Sequence, residues 1–192
     1  MIINWHGGGC YKIETSGFDL VVDPQTSPRG GRLKADLILQ TKTPFPLPAE
    51  EVFSNKKIVG PGEYEIGPIK IQGVQIKLSS EEKPEEKTKS IQTAYRVLLE
   101  RISFCFLGEI DNDLNEEALE DLGEIDVLFA PVNKKALNYI KIIEPKIVIP
   151  GFGDPEKLKV DLAQKTEPQE KLVLKKKDLE EEGGSHLVIL KP

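Results

Sequence analysis

The chain has 192 residues, 39% of them apolar and 30% charged, with a formal net charge of −6. That composition belongs to a globular protein with enough chain for one substantial core, and no run nears the ~20 apolar residues of a membrane span. The acidic balance argues against nucleic acid or a membrane surface as a partner, because phosphate neutralisation needs clustered Lys and Arg. Met1-Ile2-Ile3-Asn4-Trp5 opens directly on strand-like residues, not on a basic segment followed by an apolar one, so the expected compartment is the cytoplasm. Cys10 and Cys105 are the only cysteines and are expected as buried, reduced thiols.

In chain order, Ile2 to Trp5, Cys10 to Thr15, Phe18 to Asp23 and Ala35 to Thr41 read as strands, with Ser16-Gly17 as a hairpin turn. Lys57 to Val59, Glu63 to Ile66 and Ile69 to Leu78 continue the strands, with Gly67-Pro68 as a turn. Residues 80–89 are almost wholly polar and read as an exposed charged loop. Ile91 to Leu99 and Arg101 to Leu107 form a further hairpin.

From there the pattern alternates helix and buried strand. Leu114 to Leu122 is a short helix capped by Asn115 or Asp113, and Lys134 to Ile143 is an amphipathic one. Asp126 to Val132 and Lys146 to Pro150 are buried strands, and Pro155 suits the first turn of a helix reaching Lys165. Lys171 to Lys175 and His186 to Leu190 close the chain as strands. The basic run Lys175-Lys176-Lys177, followed at once by Glu180, reads as a solvated turn. One α/β domain over residues 1–192 is expected, its strands in two sheets flanked by helices.

Several segments resemble one known family in the right order. Trp5-His6-Gly7-Gly8-Gly9-Cys10-Tyr11-Lys12-Ile13 is similar to the family's opening strand pair, and Leu20-Val21-Val22-Asp23-Pro24 to its strand ending in Asp-Pro. Gly60-Pro61-Gly62-Glu63-Tyr64-Glu65-Ile66 and Ile142-Ile143-Glu144-Pro145-Lys146-Ile147-Val148-Ile149-Pro150 match further stretches. The chain thus resembles the metallo-β-lactamase superfamily, in its small branch of lactonase-like and other metal-dependent hydrolases. The resemblance implies a four-layer αββα sandwich with two mixed sheets, and a dinuclear metal site at strand ends.

The residues that the resemblance assigns to that site are the wrong ones. A His-x-His-x-Asp-His run is expected after Asp36 to Thr41, yet its ligand positions fall on Lys42, Pro44, Pro46 and Leu47. A third histidine position falls at Leu78 or Ser79, and the last at Phe152. Only the bridging carboxylate position keeps an oxygen donor, as Glu109. Protonated Lys and apolar side chains offer zinc no lone pair, and without the metal nothing lowers the pKa of an attacking water. His6 and His186, the only histidines, lie far apart in the sequence.

No metal is therefore expected; zinc or manganese would belong only to a working hydrolase. If the fold is as inferred, Asp23, Glu109, Lys42 and His6 meet at the mouth of the vestigial site. There Lys42 is expected to pair with Asp23 or Glu109 in place of the cations. Gly7-Gly8-Gly9 reads as a tight turn, and Pro44 to Pro48 as a stiff apolar filling or docking segment. Two functions follow. One is a non-catalytic member of the family that binds or scaffolds a protein partner or a second copy of itself. The other is a hydrolase of weak or metal-free activity, using Lys42 with Glu109 or Asp23.

Overall fold

The computed structural model describes residues 1–24, 33–46, 56–76, 90–180 and 184–192. The expected exposed loop at 80–89, Leu47, and the Leu78 and Ser79 positions lie outside them. Two mixed sheets stack face to face with helices outside, the αββα arrangement.

The first sheet runs β13-β1-β2-β3-β4-β6, where β1 is Ile2–Trp5, β2 Tyr11–Glu14, β3 Asp19–Val22, β4 Leu37–Gln40, β6 Lys57–Val59 and β13 Leu172–Val173. Its first four strands pair antiparallel, and β3, β4 and β6 pair parallel. The second sheet runs β14-β12-β11-β10-β9-β8-β7, from β7 Gly62–Ile66, β8 Ile69–Ile76, β9 Ser90–Leu99 and β10 Ile102–Phe106 to β11 Val127–Pro131, β12 Ile147–Gly151 and β14 His186–Leu187. Every residue of β10, β11 and β12 is buried, as strands covered on both faces must be.

The main core lies between the sheets, where Ile3, Tyr11, Ile13, Leu20 and Leu39 meet Ile71, Tyr95, Val97, Phe104 and Phe129. A second apolar layer, including Val74, Cys105, Leu128, Tyr139, Val148 and Leu158, lies on the other side of the second sheet. Helices α1 (Glu116–Leu122), α2 (Ala136–Ile143) and α3 (Pro155–Asp161) cover it. Asn115 caps α1, its side chain accepting from the Ala118 N–H at 3.1 Å. Asp154 caps α3, with Pro155 in its first turn. Among the described residues no helix is long and apolar enough to cross a membrane.

Three local expectations need correction. The expected loop after Thr41 contains a three-residue strand, β5 (Lys42–Pro44), which leaves the first sheet and pairs with β9 of the second. Helix α3 stops at Asp161, four residues short of Lys165. The Lys175–Lys177 run is more than a solvated turn: half-buried Lys176 donates to both oxygens of Asp126 at 3.1 and 3.0 Å, pinning a 3₁₀ turn (Lys176–Leu179) to the start of β11.

Candidate functional site

The site is built where the chain changes sheets. Just past the end of β3, Asp23 takes a positive φ of 44°. That conformation costs a non-glycine residue about 1 kcal/mol or more and turns the carboxylate inward. The carboxylate accepts from the Thr41 N–H at 2.7 Å and from its hydroxyl at 2.6 Å. Thr41 lies between β4 and β5, and its carbonyl in turn accepts from the Thr93 N–H of β9 at 2.8 Å. One carboxylate thus fastens the crossover between sheets. Burial pushes the Asp23 pKa up, and the two Thr41 hydrogen bonds pull it partly back.

Gly108 closes the same corner. It sits just past β10 at φ 70°, and a Cβ there would run into the Thr41 side chain. Beside the crossover, the buried Thr43 hydroxyl oxygen has no hydrogen-bond partner among the described residues.

Above this corner opens a cleft of about 190 Å³ lined by Gly9, Asp23, Pro24, Gln40, Thr41, Lys42, Glu109 and Phe152. Adjoining it is a small space of about 10 Å³, walled by Tyr11, Val22, Phe106 and Phe129 among others. That volume holds about one water molecule at most. Asp23, Gly9 and Phe152 border both spaces. Phe152 follows β12 at φ 48°, and its ring lies so close over Gly9 that a Cβ there would overlap it. Below, the Phe129 ring is 4.3 Å from Phe106 and 4.5 Å from Tyr11. Tyr11 donates to the Pro150 carbonyl at 2.9 Å, and burial raises its pKa far above the usual phenol range. The floor is therefore aromatic and closed to ionic chemistry.

Three of the four residues expected at the site mouth come together here: Asp23, Lys42 and Glu109. His6 is exposed in the turn from β1 to β2, where its N–H reaches the Cys10 carbonyl at 2.8 Å, and it lines neither space. Gly8 within that turn accepts from the Trp5 indole at 2.8 Å and from the Phe152 N–H at 3.4 Å, tying the turn to the segment after β12. Lys42 and Glu109 are both exposed, and neither has an ion-pair or hydrogen-bond partner through its side chain among the described residues. Among the described residues the expected pairing of Lys42 with Asp23 or Glu109 is absent, and the Asp23 carboxylate is held instead by Thr41. Thr41 itself carried no motif in the sequence; a lone hydroxyl at a strand end gives no signal until the sheets are assembled.

His186 begins β14 opposite Ile147, whereas Phe152 follows Gly151 at the far end of β12. Four residues of strand, about 13 Å, separate those two ends. Among the described residues no three His, Cys, Asp or Glu side chains gather closely enough to share a metal ion. Cys10 and Cys105 are buried and free, and burial pushes the Cys105 thiol up to about 12. That rules it out as a thiolate nucleophile near neutral pH.

Residues 2–151 match the family described as the beta-lactamase superfamily domain. No curated protein matches the sequence. Among solved structures, the chain is similar to one from Thermotoga maritima put forward as a Zn-dependent hydrolase of the metallo-beta-lactamase superfamily. The two are 24% identical with a TM-score of 0.71, over 99% of this chain and 98% of that one. It is similar also to a metal-dependent hydrolase candidate from Parabacteroides distasonis, 20% identical, TM-score 0.61, over 83% of this chain and 87% of the other. A metallo hydrolase from the archaeon Ignicoccus hospitalis is 16% identical, TM-score 0.59, over 84% and 90%. At these identities the structural likenesses speak for the fold alone.

Proposed function

The chain belongs to the beta-lactamase superfamily, and from that premise we propose that it is a non-catalytic member, a binding or scaffold protein that has lost the dinuclear centre. The observation that carries this reading is the set of donors around the cleft. Where the family resemblance puts histidines, this chain has Lys42, Pro44 and Phe152, and the Phe152 ring lies over Gly9. Of the two carboxylates, Asp23 spends both oxygens on Thr41, and Glu109 stands alone. A hydrolytic zinc site takes three protein ligands per ion and keeps one position for water. These residues do not fit such a centre with zinc or manganese, and we route no step through one. The binding role falls to the cleft and to the exposed segment beside it, where Phe45 is 58% exposed between Pro44 and Pro46.

A second reading is hydrolysis without a transition metal, with Lys42 and Glu109 or Asp23 as the acid–base pair. It draws on the raised pKa of Asp23, a carboxyl biased toward its protonated form in a cleft. A panel of lactone, ester, thioester and phosphodiester substrates, assayed with and without added zinc or manganese, separates the readings. Our proposal expects no turnover above buffer in either condition. Turnover abolished by Lys42→Met or Glu109→Gln would install the second reading in its place.

A further inference from the structure

We infer that the cleft over Phe152 is a binding site for a small zwitterion bearing an apolar group, in the chemical class of a free α-amino acid. The inference deepens the non-catalytic reading and rests on it. Among the charged groups that line the cleft, Asp23 is committed to Thr41 and biased toward neutrality by burial. That leaves one cation, Lys42, and one anion, Glu109. A structural ion pair would join them, yet they share no contact within 4.0 Å and neither has another partner among the described residues. Opposite charges that line one cleft without pairing are complementary to a ligand that carries both: a carboxylate toward the Lys42 ammonium and an ammonium toward Glu109.

The lining also includes Phe152, Pro24 and Gly9, which offer a surface for an apolar side chain. Size sets the scale of the ligand. The cleft of about 190 Å³ falls below the roughly 300–1,000 Å³ that encloses a drug-sized molecule, so it admits one amino-acid-sized guest. The backbone around it keeps costly conformations, with Asp23 at φ 44° and Phe152 at φ 48°. Such strain concentrates at ligand sites.

Isothermal titration of the full chain with phenylalanine and leucine, and with their N-acetyl and amide derivatives, tests this. The expected result is saturable binding of the free amino acids below about 10 mM, weakened about tenfold or more by blocking either charge of the ligand. Lys42→Met and Glu109→Gln should each weaken it by a similar factor, and both positions are exposed, so the fold is not at stake. No saturable binding by any free amino acid, or equal binding of the blocked derivatives, overturns the inference. The non-catalytic reading is judged separately, by recovering the ligand after incubation. An unchanged amino acid agrees with that reading, whereas a consumed one refutes it while leaving the zwitterion as the ligand.

Discussion

Asp23 is the residue on which most of the site depends, and its environment sets a testable pH dependence. Its folded-state pKa is raised, chiefly by burial. A raised pKa means that the folded protein binds this proton more tightly than the unfolded chain does. The resulting stabilisation is fully present below the unfolded carboxylate value and is lost as pH rises through the folded one. Asp23→Asn removes that titration. Its amide can keep both Thr41 contacts, the oxygen accepting from the N–H and the NH₂ donating to the hydroxyl. Chemical denaturation should therefore show Asp23→Asn gaining on the wild type between pH 4 and pH 7; equal differences at both pH values would reject the raised pKa. Asp23→Ala has no such compensation. It leaves two Thr41 donors unmet and should cost about 2–4 kcal/mol. Thr43→Val makes the opposite change, removing a buried hydroxyl oxygen that has no hydrogen-bond partner among the described residues. It should raise stability by about 1 kcal/mol in the same measurement; a clear loss would mean that the hydroxyl does find a partner.

At the scale of elements, the corner where β4 hands over to β5 is held by close approach as much as by hydrogen bonds. Gly108→Ala would place a Cβ against Thr41 in a left-handed conformation. The combined strain and clash should cost about 2–4 kcal/mol in denaturant, without changing the slope of the transition. A cost under about 0.5 kcal/mol would show that the corner is looser than this packing implies. Most strands were legible from the chain because alternating or wholly apolar runs, bounded by Gly and Pro, have one reading. Ser16-Gly17, Gly67-Pro68 and the Asn115 cap fall where local chemistry puts them. Strand β5 was not legible, because Lys-Thr-Pro leading into a proline-rich run carries no strand signal. Its pairing comes from Thr41 and from β9, which lies some 50 residues further along the chain. The Lys176–Asp126 bridge was hidden for the same reason, since only tertiary approach brings a basic run onto a half-buried aspartate.

Across the whole molecule, the two mixed sheets and the match over residues 2–151 belong to the superfamily, while the positions that the resemblance assigns to metal-binding histidines include Lys42, Pro44 and Phe152. The proposed loss of the centre was legible in the sequence, in a count of two histidines and a run of prolines where the resemblance puts metal ligands. What replaced it was not, because the Asp23–Thr41 clasp and the Phe152 ring over Gly9 join residues from four separated segments. The most direct test is metal content on tag-free protein, dialysed after exposure to zinc or manganese. The account predicts less than about a tenth of an equivalent retained, whereas one or two tightly held equivalents would contradict it and return the chain to the hydrolases.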